Sequence, residues 1–183
     1  MPDLNQTIVD TLSGSLRPIR RAALGLGSNL GDSREILQAA VETLLESPEL
    51  LLVAVSPVYE TEPVGGPAQP SYLNAVLVVD TTLSPTHLLD RAHAVEAAFG
   101  RERDQRWGPR TLDIDVLAVG DRVLAGEMVL PHPRAHERAF VLVPWSDVDP
   151  GFVLPGQATI GELAAAVDRR GVRRREDLAL VVS

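Results

Sequence analysis

RAALGLGSNLGDSREILQAAVETLLESP, residues 21 to 48, holds a strand, a turn and a helix in that order. Arg21 to Leu26 (RAALGL) is apolar and reads as a strand. Gly27-Ser28-Asn29-Leu30-Gly31 follows as a tight, glycine-bounded turn. Asp32 then stands where a helix needs a cap, and Glu35, three residues on, predicts a capping box. Ile36, Leu37, Ala40, Val41, Leu44 and Leu45 recur at helical spacing, and Pro48 ends the run.

Outward from this unit, Leu50 to Tyr59 is β-rich and predicts a second strand. A loop dense in chain breakers follows, with Pro63, Gly65, Gly66, Pro67 and Pro70. Tyr72 to Thr82 predicts a third strand. Ser84-Pro85 pairs an N-cap with proline at the first helical position. That helix carries Leu88, Leu89, Ala92, Val95 and Phe99 on one face, and Gly100 stops it. A polar, Arg-rich loop over 101–111 leads to a fourth strand, Leu112 to Val119. A later helix starts at Thr159, where Glu162 completes another capping box, and ends by Gly171. The order β-α-β-β-α-β is that of an α+β, ferredoxin-like sandwich with an antiparallel sheet, helices on one face and C-terminal helical additions. Such a sheet leaves its other face for a ligand. Residues 1–19, with Ser13, Gly14, Ser15 and Pro18, read as a flexible N-terminal tail, and 20–183 as a single domain.

Composition narrows the chemistry. There is no Cys, so disulfides, thiolate catalysis and Cys-bound zinc are excluded. All 17 basic residues are Arg, so a P-loop lysine and a lysine Schiff base are excluded too, and if phosphate is held by side-chain cations it must be held by Arg forks. A net charge of −8 argues against nucleic-acid binding. No apolar run reaches membrane-spanning length and no signal-peptide pattern opens the chain, which predicts a cytoplasmic protein.

The segment richest in chemistry is Arg106-Trp107-Gly108-Pro109-Arg110-Thr111-Leu112-Asp113-Ile114-Asp115. Strand alternation points Asp113 and Asp115 one way and Leu112, Ile114 and Val116 the other, into a core. Two carboxylates on one strand face repel unless a cation lies between them, and hard oxygen donors suit Mg²⁺. A solvated strand edge is the competing reading. Arg101, Arg103, Arg106 and Arg110 crowd the adjoining loop of an acidic chain. They read either as a solvated loop or as cations for a phosphoryl-type group. Trp107 beside Gly108-Pro109 reads as the tip of a closing lid, or else as core filling. Tyr72 and Asn74 share a strand face, and an aromatic plane beside an amide suits a flat heterocycle. Arg169, Arg170 and Arg173 to Arg175 read as a solvated helix end.

These residues resemble 6-hydroxymethyl-7,8-dihydropterin pyrophosphokinases. The likeness lies in LGSNLG, in Tyr59-Glu60-Thr61-Glu62-Pro63, in QPSYLNA at Gln69–Ala75, in RWGPRTLDIDVL at Arg106–Leu117 and in Leu130-Pro131-His132-Pro133-Arg134, with Arg138 and Phe140 after them. The resemblance spans roughly residues 22 to 165. It implies transfer of the ATP pyrophosphoryl group to the pterin hydroxymethyl oxygen, with AMP leaving, as a step in folate biosynthesis. Asp113 and Asp115 would bind two Mg²⁺ ions. Arg101, Arg110 and Trp107 would be catalytic, the last in a mobile loop. Glu96, Arg103, His132 and Arg138 would lie near the nucleotide. Tyr72 and Phe140 would sandwich the pterin, Asn74 would bond its edge, and Thr61 and Val64 would add backbone contacts. Pro133 stands where relatives often carry an aromatic, so adenine contacts there differ. The expected partners are ATP and a reduced pterin, with no nucleic acid or membrane, and the expected state is a monomer. A Mg²⁺-dependent nucleotide transferase with another acceptor and a ferredoxin-like sensor module are the competing functions.

Overall fold

The computed structural model describes residues 7–9, 16–63, 65–100 and 111–182. In chain order its elements are β1 (Thr7–Val9), β2 (Leu16–Pro18), β3 (Arg20–Ser28), α1 (Ser33–Leu45), β4 (Leu50–Val55), β5 (Tyr59–Thr61), β6 (Tyr72–Thr81), α2 (Pro85–Ala98), β7 (Asp113–Val119), β8 (Leu124–Ala125), β9 (Val129–Leu130), α3 (Ala139–Val148), α4 (Ile160–Ala166) and β10 (Val172–Arg174). The main sheet runs β10-β5-β6-β3-β7, with β4 also on β6, and every pairing is antiparallel. The β-α-β-β-α-β order is thus present, and the fold is ferredoxin-like. Within the segment read as a tail, β1 pairs with β2.

Helix caps follow the sequence closely, with one difference. Ser84 accepts the N–H of His87 and Pro85 opens α2, while Thr159 and Glu162 form both halves of the box at α4. At α1, Asp32 accepts the N–H of Glu35 at 3.2 Å, but the Glu35 carboxylate takes Arg34 as its partner at 2.6 Å. The return half of that capping box is therefore missing. Gly31 and Gly100, with φ of +76° and +71°, close the two turns where a left-handed residue is needed.

The second predicted strand is two strands. Pro57 has no N–H to give a ladder, so pairing stops after β4 and resumes at β5. Ser56 bridges the gap: its N–H donates to the Val76 carbonyl at 2.9 Å and its Oγ accepts the Val76 N–H at 2.8 Å.

Two cores sandwich the sheet. Leu24, Leu26, Leu37, Leu44, Leu77 and Ile114 pack with α1 and α2 on one face. On the other, α3 and α4 bury Val76, Val78, Leu117, Leu142, Trp145 and Ile160. Helices therefore cover much of the face expected to be free, and only its end near Asp113 stays open. The sequence hid α3 because Val141 to Trp145 are all buried and Pro144 lies inside the helix, so no apolar stripe and no helix-former bias mark it.

The basic C-terminus divides: Arg169 does sit at a helix end, donating to the Ala164 carbonyl in the last turn of α4, but Arg173 and Arg174 lie on a strand. β10 pairs with β5, Arg173 and Arg175 both reach Glu60, and Arg175 also holds Asp177. Neighbouring acids made a third edge partner available, which single-strand periodicity does not reveal. Beyond it, Leu180 and Val182 pack on the first core, and Gln38 exchanges hydrogen bonds with the Val181 backbone.

Candidate active site

A cleft of about 360 Å³ opens on the uncovered end of the second sheet face. Its floor is β3, where Gly25 and Gly27 face the opening. A Cβ on Gly27 would stand 3.1 Å from Asn74 Oδ1, so the floor is bare because the neighbours need that space. Gly27 pairs with Asp113 on one side and Asn74 on the other, and Gly25 pairs with Asp115 and Val76. The carboxylates and the amide are thus separated by one glycine strand, roughly 10 Å across.

On the β7 side, Asp113 and Asp115 are half-buried and line the cleft, while Ile114 and Val116 enter the core. β7 is a sheet edge, so its outward N–H groups need other partners. Ile114 finds one in Glu96, whose carboxylate, 2% exposed on α2, accepts that N–H at 2.7 Å. Glu96 therefore lies behind the strand, fixing it between the two aspartates, and is not among the residues lining the cleft. The β7 bulge at Leu117 turns its carbonyl to the His132 N–H, 2.8 Å away, which fastens the loop after β9 to the site.

On the other side, β5 and β6 place Tyr59 opposite Asn74 and Thr61 opposite Tyr72. Directly paired residues share a face, so all four look toward the cleft side. Asn74 Nδ2 donates to Thr61 Oγ1 at 2.7 Å, and both residues are buried. Asn29 holds the approach to β6 by donating to Gln69 Oε1 and to the Pro70 carbonyl, both at 3.0 Å.

The roof is the start of α3. Arg138 lies over the Phe140 ring, 5.5 Å from its centroid. Burial and Arg134 lower the Arg138 pKa, while Asp115 and Asp113 pull the other way. Burial, with Arg138 next, pushes the His132 imidazole below its ordinary range. Arg138 and the His132 ring thus face the carboxylates in a partly desolvated setting, where the guanidinium keeps its charge and burial favours the neutral imidazole.

Eight expected site residues meet in this one cleft: Thr61, Tyr72, Asn74, Asp113, Asp115, His132, Arg138 and Phe140. Arg101, Arg103, Trp107, Arg110 and Val64 lie outside the described residues. The sequence reading missed the two floor glycines as site elements, although alternate glycines in a strand (Gly25-Leu26-Gly27) signal a bare face. The donor set fits Mg²⁺: two hard carboxylates share one strand face at the cleft, and no described group of three or more His, Asp or Glu forms a closed cage. Such a site suits an ion that keeps water and phosphate oxygens as its other ligands.

The sequence of residues 23–150 matches the family of 7,8-dihydro-6-hydroxymethylpterin-pyrophosphokinase (HPPK). The chain belongs to this family. The matched stretch takes in every cleft residue from Gly25 to Val141. Among curated relatives, the 2-amino-4-hydroxy-6-hydroxymethyldihydropteridine pyrophosphokinase of Pseudomonas aeruginosa is 45% identical over 157 residues, covering 85% of this chain and 97% of that protein. The enzyme of the same name from Methylorubrum extorquens is 47% identical, with 85% and 99% covered. A crystal structure of Plasmodium falciparum HPPK-DHPS wild type with pteroate shares the fold, with a TM-score of 0.64 at 15% identity. It matches 81% of this chain, which spans 42% of that longer one. As an HPPK, the protein is a transferase that moves the pyrophosphoryl group of ATP to hydroxymethyldihydropterin in folate biosynthesis. Family membership sets aside the sensor module and the non-pterin acceptor. No helix among the described residues is long and apolar enough to cross a membrane.

Proposed function

We propose that the transfer takes place in this cleft, with the reduced pterin between Tyr72 and Phe140 and the ATP phosphates at the Asp113–Asp115 end. The observation that supports the reading is one cleft lined by two aromatic rings, Tyr72 and Phe140, and by the Asp113–Asp115 pair, over a floor of bare glycine backbone. Asn74 and Thr61, joined by their own hydrogen bond, offer the pterin edge a carbonyl acceptor and a hydroxyl donor. His132 and Arg138 face the nucleotide. Asp113 and Asp115 hold Mg²⁺, two ions in this proposal, which supply neutralisation of charge on the phosphate oxygens. The pterin hydroxymethyl oxygen attacks the β-phosphorus of ATP and AMP leaves, with no covalent enzyme intermediate. The residues mainly position the two substrates and balance charge, as a loose phosphoryl-type transition state requires. Arg101, Arg103 and Arg110 are proposed to add positive charge at the phosphates, and Trp107 to serve catalysis beside them. The protein is proposed to act as a cytoplasmic monomer on small molecules alone, its net charge of −8 being unfavourable for nucleic acid.

Removing either ring tests the slot. Tyr72→Ala and Phe140→Ala are each expected to weaken dihydropterin binding about three- to tenfold, the equivalent of one stacking contact. In Tyr72→Ala, ATP affinity should stay within about twofold, because β3 separates Tyr72 from the carboxylates, whereas Phe140→Ala also removes the ring under Arg138 and should weaken ATP binding more than Tyr72→Ala does. Titration of pterin fluorescence measures the first and calorimetry the second. Unchanged pterin affinity in both variants would remove the slot.

A further inference from the structure

We infer that Tyr59 and Asp147 are positioning residues that set the aromatic slot by locking the last turn of α3 against β5. Tyr59 sits on β5, 7% exposed, and its hydroxyl donates to Asp147 Oδ2 at 2.5 Å across 88 residues of chain. Asp147 and Phe140 are seven residues apart on α3, close to two helical turns, so they lie on one side of that helix. A bond made at Asp147 therefore fixes the roll of the side that carries Phe140. Tyr59 is itself paired with Asn74, next to Thr61 and Tyr72. The tether thus ties the strands bearing one wall of the slot to the helix bearing the other.

Local features give this tether leverage. α3 has no side-chain cap at its start, where Arg138 stands at the N-cap. Pro144 removes the N–H that would otherwise bond the Phe140 carbonyl, so the first turn is held less firmly by its own backbone. Leu142 and Trp145 anchor the helix to the sheet, but packing tolerates small rotations that a directional bond does not. Burial first, and then the Asp147 acceptor, push the Tyr59 phenol up to about 12, so the donor stays protonated across the working range.

The inference rests on the pterin lying against Phe140, and the test separates the two. Tyr59→Phe keeps the ring and deletes only the donor. It should weaken dihydropterin binding about three- to tenfold, since it can forfeit at most the Phe140 stacking contact. Mg-ATP affinity should remain within about twofold. Asp147→Ala should match it, and Asp147→Asn should restore near-native binding, because its amide oxygen still accepts from the phenol. In a Phe140→Ala background, Tyr59→Phe should add less than about twofold, because there is no ring left to position. Native pterin affinity in Tyr59→Phe, alongside weakened binding in Phe140→Ala, overturns the inference and leaves the slot standing. An equal loss from Tyr59→Phe with and without Phe140 overturns it too, as a general packing effect. No effect from Phe140→Ala itself overturns the slot, and the inference with it.

Discussion

Asp113→Ala and Asp115→Ala are each expected to slow turnover by roughly a hundredfold or more while the protein stays folded. The argument for activity is electrostatic. Two carboxylates on one strand face are a local cost to folding that a cation offsets, and the same cation serves the phosphates. Losing one ligand leaves the transferring group with less compensation where its charge is greatest. The argument for the fold is positional. Both side chains are half-buried at the cleft, while the strand is held by Ile114 and Val116 in the core and by Glu96 on the Ile114 N–H. None of these anchors involves the aspartate side chains. Turnover at saturating Mg²⁺ and ATP, together with urea unfolding, decides the matter. Near-native turnover in both variants would remove the metal assignment, and lost activity with lost stability would recast the pair as structural.

Trp145→Ala carries the largest expected cost in stability. Trp145 is completely buried in the second core, with the Phe152 ring 5.2 Å away. Truncating a buried Trp to Ala usually costs about 3–5 kcal/mol. That is a large share of the ~5–15 kcal/mol by which domains of ordinary size are stable. The residue also carries a cost, since its indole Nε1 is buried and has no hydrogen-bond partner among the described residues. Trp145→Phe removes that orphaned donor along with some volume, so it should cost well under half as much. An unfolding free energy for Trp145→Ala, from urea titration at unchanged slope, within about 1 kcal/mol of the native value would show that the second core relaxes around the gap. Because the same helix begins with Arg138 and Phe140, pterin affinity should fall in step with any loosening.

What the sequence made legible follows from how locally each feature is written. β7 was readable because alternation alone sorts Asp113 and Asp115 from Ile114 and Val116. α2 and α4 were readable because Ser84-Pro85 and Thr159 with Glu162 are complete cap signals within four residues. α3 was not, because a helix buried on most sides has no stripe and Pro144 reads as a breaker. The break between β4 and β5 had a local sign in Pro57, outweighed by the β-prone residues on both sides of it. Glu96 was singled out, but the bond it accepts from the edge of β7 depends on α2 and β7 meeting and could not be read locally. The Tyr59–Asp147 bond joins residues 88 positions apart and has no local trace.

The interleaving of Asp113 and Asp115 with core residues on β7 has a consequence for how the chain can change in length. Deleting one residue between Leu112 and Val116 would turn a carboxylate into the first core and an aliphatic side chain into the cleft. Neither fault could be repaired by a nearby substitution, since both come from one slip of phase. The exposed stretch Gly65-Gly66-Pro67-Ala68 carries no such coupling, so gaps and extra residues can gather there. Lineages descended from this chain should therefore vary freely in length before β6 and hardly at all along β7.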